Sequence, residues 1–196
     1  MPTNDAPRID RRKVRTRAAL ITAGQQLIRE SRDATASIQT ITDLADVGFG
    51  SFYNHFATKD ELFAAAVAGA MVDYLEWLDS SLPAGAEPAQ RLYESVRLTG
   101  RLATELPQTA AVLARRFSLV ELSDDSLGSR MRADVRAALS AANTPLNDNE
   151  VAILSIATMG AMQSVLAATP SLTAEETAEA GEVLARGVLR LLSLEL

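Results

Sequence analysis

The chain has 196 residues, 47% of them hydrophobic at a mean hydropathy of +0.05, enough apolar material for one packed domain or a small head on a larger body. It has no cysteine and a single histidine, His55, which excludes disulfides, thiolate metal sites and multi-histidine metal sites. The net charge of −6 alone argues against a nucleic-acid partner, but its distribution argues the other way: residues 1–60 carry +2 and residues 61–196 carry −8, and six of the nine basic residues in the first segment lie between Arg8 and Arg17.

Abundant alanine and leucine, with modest glycine and proline, favour helices, and no alternating apolar run with hairpin turns is present. Met1–Asp10 has no apolar stretch and reads as a flexible, basic-leaning tail rather than a signal peptide. A first helix is predicted from Arg11 to Arg29, with Leu20, Ala23, Leu27 and also Ala19 and Ile28 on its apolar face. The polar stretch Ser31–Ser37 reads as a loop. Ser37 is a good N-cap for a second helix that buries Ile38, Ile41 and Ala45 and stops near Asp46. A short third helix covers Phe49–Phe56, with Phe52 and Phe56 inward at i, i+4. Thr58 and Glu61 form a capping box that starts a fourth helix running to Ser80.

Beyond the loop Pro83–Pro88, helices are predicted at Ala89–Glu105, Gln108–Leu122, Leu127–Ala142, Asp148–Ala168 and Ala174–Leu194. Pro107, Pro145 and Pro170 punctuate the joints, and Asn147 with Glu150 and Thr173 with Glu176 form two more capping boxes. The expectation is an all-α chain of nine helices: tail 1–10, helix-turn-helix head 11–58, and body 59–196. The longest apolar run, Leu62–Val72, falls short of the ~20 residues a membrane helix needs. The expectation is therefore a cytoplasmic protein without a membrane partner.

The chemistry concentrates in Ser37–Leu62. Two short helices joined by Ala45-Asp46-Val47-Gly48 form a helix-turn-helix layout, in which the second helix enters the major groove by its N-terminal residues. Ser51 and Asn54 suit base edges, Asn54 an adenine, though Asn54 could equally meet water or phosphate. Phe49 suits a thymine methyl or packs on the turn. Gly50 permits close approach to DNA. Lys59, at the N-terminus of the fourth helix, favours a phosphate, and Gln39 and Thr40 are further phosphate candidates. The basic cluster Arg8–Arg17 steers DNA or reaches a minor groove, or is a solubilising tail. His55 has no neighbouring acid or nucleophile in sequence, and no nucleophile–base pair, phosphate loop or metal cluster appears, so neither an enzyme nor a cofactor is expected.

Val47-Gly48-Phe49-Gly50-Ser51-Phe52-Tyr53-Asn54-His55-Phe56, followed by Thr58-Lys59-Asp60-Glu61-Leu62, resembles the recognition-helix signature of the tetracycline-repressor (TetR) family, and Ser37–Ala45 resembles that family's second helix. The resemblance spans residues 14–63. It implies that Tyr53 and Lys59 contact phosphates, that His55 packs and touches DNA, and that the protein is a repressor released from a palindromic DNA operator by a small-molecule effector. It departs from the family at Asp46, where a turn glycine is usual, at Gly48, where Ser or Thr is usual, and at Ser31-Arg32-Asp33.

Reading two half-sites requires a homodimer. The last two helices either complete a monomeric core or, as the resemblance implies, form a four-helix bundle with a second copy. Thr158, Met162, Val165, Leu184, Val188 and Leu191 are the expected interface. The middle helices are expected to hold a largely apolar effector among Tyr74, Trp77, Leu78, Tyr93, Phe117, Met131, Met159, Met162 and Gln163. Such a stripe of aromatics and methionines equally suits plain core.

Overall fold

The computed structural model describes residues 6–116, 126–144 and 147–194. Among the described residues the chain forms ten α-helices and one 3-10 turn, with no strand. It divides into two compact units, Met1–Val72 and Asp73–Leu196.

The first unit holds α1 (Ala6–Arg29), α2 (Ile38–Leu44), α3 (Phe49–Tyr53) and the first half of α4 (Lys59–Ser81). Helix α1 begins at Ala6 and not at Arg11, so residues 6–10 are helical rather than a flexible tail. Pro7 stands in the first turn, where its missing N–H leaves no bond unmade. Leu20, Ala23, Leu27 and Ile28 are buried at helical spacing, as predicted. Gly24 lets α4 approach closely, since a Cβ there would lie 3.3 Å from the Ala66 Cβ. Gln25 Nε2 donates to the Ala66 carbonyl at 3.1 Å. The unit's boundary falls past residue 58 because Leu62, Phe63 and Ala66 of α4 belong to the buried set of the head.

Four helices end alike. Ser31, Asp46, Asn143 and Ser193 adopt left-handed backbone, with φ of 56°, 51°, 54° and 55°. At each, the next residue's N–H reaches back five positions, Arg32 to Leu27, Val47 to Thr42, Thr144 to Leu139 and Leu194 to Leu189. This is the Schellman arrangement, which satisfies orphan carbonyls at the helix end and usually carries glycine at the left-handed position. Here non-glycine residues hold it, at a cost of about 1–2 kcal/mol each.

The second unit contains the rest of α4, then α5 (Pro88–Arg97), α6 (Thr99–Glu105), α7 (Pro107–Arg116), α8 (Ser126–Ala141), α9 (Asp148–Ala168), the 3-10 turn Thr169–Ser171 and α10 (Ala174–Leu191). The predicted Ala89–Glu105 helix is broken at Leu98, which raises nine helices to ten. Around the break the Arg101 N–H bonds the Leu98 carbonyl at 2.9 Å, a tighter i−3 turn. Just beyond it Gly100 meets Gly181 of α10: a Cβ on Gly100 would lie 3.0 Å from the Gly181 Cα. The two backbones thus cross with no room for a side chain. The C-terminal part of the predicted Gln108–Leu122 helix, and Pro145, lie outside the described residues.

Both predicted capping boxes of this unit form. The Glu150 N–H donates to Asn147 Oδ1 at 3.0 Å and the Asn147 N–H to Glu150 Oε2 at 2.8 Å. Thr173 and Glu176 pair in the same way at α10. Hydrogen bonding to Thr173 holds the Glu176 carboxyl below its usual range. By length and composition alone, the segment from α9 through the 3-10 turn could cross a membrane, with a mean hydropathy of 1.8 over its most apolar window. Serines, threonines and small residues dilute its apolar residues, so no long apolar run marks it in the sequence.

Candidate nucleic-acid interface

Ser37 caps α2: its Oγ accepts the Thr40 N–H at 3.0 Å and lies 2.9 Å from the Thr40 hydroxyl. Ile41 and Thr42 are buried, while Ile38 and Ala45 are only half-buried. The Thr42 hydroxyl donates back to the Ile38 or Gln39 carbonyl, so burying it strands no polar group. Gln39 is exposed, and its Nε2 donates to Asp43 Oδ1 at 2.6 Å. The turn closes on Asp46 in the left-handed conformation that its short polar side chain tolerates.

Helix α3 starts at Gly48, which supplies no side-chain cap. Five residues are too few for independent stability, so burial fixes the helix. Phe52 and Phe56 are 0% and 1% exposed, their rings 6.0 Å apart, with the Arg17 guanidinium 5.0 Å above the Phe56 ring. Beside these rings Phe49 and Tyr53, 49% and 56% exposed, pack edge-to-face at 6.0 Å, with Tyr53 also 5.4 Å from Phe52; Gly50 and Asn54 are exposed as well. Gly50 has nothing within 4 Å of where a Cβ would stand.

Ser51, Asn54 and His55 share an open groove with Arg12, Lys13 and Thr16 of α1. The sequence marked these three α1 residues only as part of a basic cluster; their helical spacing, which sets them on one face, was the available signal. Burial pulls the His55 pKa below its ordinary value, and the charges of Lys13 and Arg17 add to this, so the imidazole is neutral at neutral pH.

The start of α4 differs in detail from a simple capping box. Thr58 Oγ1 accepts the Glu61 N–H at 3.1 Å, but the Glu61 carboxylate reaches the Ala57 N–H at 2.7 Å. Lys59 is half-buried and its Nζ donates to the Ala36 carbonyl at 2.7 Å. It ties the loop before α2 to the start of α4 and retains two N–H groups for another acceptor.

In the second unit, four of the expected effector residues come together. Tyr74, Met159, Met162 and Gln163 line a cavity of about 20 Å³ with Thr99, Leu113, Leu127 and Leu166, which sequence reasoning missed. Trp77 and Tyr93 do not join them: Trp77 Nε1 donates to Glu105 and the Tyr93 hydroxyl to Glu182. Met131 and Leu78 are buried elsewhere in the unit's core, and Phe117 lies outside the described residues. Burial pushes the Tyr74 phenol up to about 12, against smaller opposing effects of Arg130 and Thr99.

The expected interface residues need correction. Thr158, Met162 and Val188 are 2%, 6% and 5% exposed, so they face this unit's own core; Val165 and Leu184 are half-buried. The outward apolar residues are Ile153 and Ile156 on α9 and Val183 and Leu191 on α10, flanking the open Gly187. Of the expected set only Leu191 belongs to them.

Residues 87–196 match the family model described as the tetracyclin repressor-like C-terminal domain. An HTH-type transcriptional repressor of Mycobacterium tuberculosis is 32% identical over 145 residues, covering 70% of this chain and 74% of that protein. A TetR-family transcriptional regulator of Syntrophomonas wolfei has a similar fold, with a TM-score of 0.71 at 17% identity over 92% of this chain and 96% of the other. So does RolR in complex with resorcinol, at a TM-score of 0.63 and 23% identity, covering 95% of this chain and 91% of the other.

Proposed function

The chain belongs to the tetracycline-repressor (TetR) family of transcriptional regulators, and from that premise we propose that it is a homodimeric repressor, held on a palindromic operator by its first unit and released when a small, largely apolar effector enters its second. The observation that carries the reading is the division of α3 between buried and exposed side chains. Phe52 and Phe56 anchor it in the head, Ser51 and Asn54 line the groove with Arg12 and Lys13, and Phe49 and Tyr53 stand exposed beside the anchoring rings. Asn54 and Ser51 read base edges, Asn54 best an adenine, and Phe49 meets a thymine methyl. Tyr53, Gln39, Thr40, Lys59 and the α1 cations hold phosphates, which position the helix without carrying sequence information. His55, neutral and walled by Lys13, is a donor or acceptor at the edge of the same groove.

Several observations support the rest. The Mycobacterium tuberculosis relative is named a repressor. RolR binds resorcinol, a small ligand, within a similar fold. The outward apolar residues of α9 and α10 need covering, and a second copy supplying the same four would cover them symmetrically. Two recognition helices would then sit about 34–36 Å apart, or a multiple of it. Release is a shift toward a dimer with wrongly spaced α3 helices. A dimer buried on α9 also accounts for that helix's apolarity in a cytoplasmic protein.

A gel-shift against the DNA flanking the protein's own gene tests the reading. A salt-dependent, saturable complex at a palindromic site is expected; no complex even at low salt overturns it.

A further inference from the structure

Three buried oxygens of the second unit lack a well-formed hydrogen bond: Gln163 Oε1 has no partner, and Tyr74 Oη and Thr99 Oγ1 have at most a weak bond to each other. All three belong to residues lining the one cavity described above. The fourth such atom among the described residues, Arg130 Nε, belongs to a guanidinium already committed to Asp79 through both of its terminal nitrogens. Leaving a buried polar atom unpaired is costly, and native structures rarely do it. Three in one small cavity therefore mark a place where something polar binds.

The chemistry of the three oxygens limits what that is. Gln163 Nε2 donates to the Ala114 carbonyl at 3.1 Å, which fixes the amide and aims Oε1 as a pure acceptor. Its partner must donate a hydrogen. The Tyr74 and Thr99 hydroxyls both donate and accept, and Tyr74 remains a neutral phenol. No charged side chain lines the cavity. A carboxylate would face Gln163 Oε1 oxygen to oxygen with no cation to hold it, and an ammonium would find no carboxylate. The remaining lining is leucine and methionine.

We propose that this cavity is the effector site and that it selects a compact, neutral, hydroxyl-bearing molecule, whose hydroxyl donates to Gln163 Oε1 while Tyr74 and Thr99 bind the same or a second hydroxyl. The cavity as it stands has room for about one water molecule. Met159 and Met162 are the side chains that yield to a larger body, since unbranched thioethers repack readily. This rests on the effector reading above and narrows its ligand to one class.

The test measures thermal shift and calorimetric binding for the full-length protein with phenol, benzyl alcohol, toluene and benzoate. Phenol or benzyl alcohol is expected to bind at least about tenfold more tightly than toluene or benzoate. Tyr74→Phe and Thr99→Val should each erase most of that preference while changing the melting temperature of the ligand-free protein little, because each removes only the weak bond between the two hydroxyls. Toluene binding as tightly as phenol, no binding by any probe, or variants that keep the preference overturn the proposal. So does a melting point several degrees lower in both variants, which would mean that an ordered water already satisfies the three oxygens. A gel-shift with the same compounds separates the two readings: phenol bound at this site without release of DNA leaves the site standing and removes its role as effector pocket.

Discussion

The two units of this chain differ in what they leave unsatisfied. In the first, among the described residues, every large fully buried side chain is apolar, and the one buried polar side chain, Thr42, bonds its own helix. Its exposed aromatics, Phe49 and Tyr53, stand on α3 beside the buried Phe52. In the second unit poorly paired oxygens lie inside, at Tyr74, Thr99 and Gln163, and large aliphatic side chains lie outside in pairs on two successive helices, at Ile153, Ile156, Val183 and Leu191, where the first unit exposes Val14, Leu44 and Val72 singly on three helices. A head that reads a polyanion needs a rigid, self-sufficient core behind a polar face. The sensing and dimerising role proposed for the body rests on the two kinds of group it fails to satisfy alone.

The largest way to break the comparison is to attack the head's core. Phe52→Ala should cost about 3–5 kcal/mol and abolish DNA binding through unfolding of the head, read by urea denaturation followed at the tyrosines. A loss below about 1 kcal/mol would show that α3 is not held by this ring. Next, Ile156→Glu combined with Val183→Glu should convert the dimer to monomer in sedimentation equilibrium, raising the dissociation constant about thirtyfold or more. An unchanged dimer would place the interface elsewhere.

The buried phenol gives the second unit a pH signature at high pH. Below pH 10 both the folded and unfolded states hold the Tyr74 proton. As the pH rises from 10 toward 12 the unfolded tyrosine ionises while the folded one does not, so stability falls. The wild type should lose up to roughly 3 kcal/mol relative to Tyr74→Phe across that window. Parallel pH profiles for the two proteins would mean that the hydroxyl is solvated. The smallest effect is a gain: Asp46→Gly should raise stability by about 0.5–1 kcal/mol, because glycine occupies φ 51° without a Cβ penalty. A lower melting temperature would mean that the Asp46 side chain supports the turn in another way.

The head was far more legible in the sequence than the body, for physical reasons. Phe52 and Phe56 at i, i+4, the Ser37 cap and the Ala45–Gly48 turn are local signals, and local contacts enforce them. The break at Leu98 has no glycine or proline of its own; it accompanies the meeting of Gly100 with Gly181, far apart in the chain. In α9 apolar residues surround the whole helix, so periodicity could not tell the inward row of Thr158 and Met162 from the outward row of Ile153 and Ile156. The early start of α1 was missed because Ala6–Asp10 hold no apolar residues repeated at helical spacing, though Pro7 fits a first turn. The orphan oxygens are a property of packing alone, and Thr99 carries no mark in the sequence.

The central claim is that one face of α3 reads sequence while its neighbours only hold phosphate. Its most direct measurement is the affinity of wild type, Asn54→Ala and Lys13→Ala for a panel of single-base operator variants at several salt concentrations. Asn54→Ala should lose about 1–3 kcal/mol on the best site and cease to discriminate at one base position. Lys13→Ala should weaken every variant alike and reduce the salt slope by about one. Equal losses across all variants for Asn54→Ala, or a change of base preference for Lys13→Ala, would contradict the account.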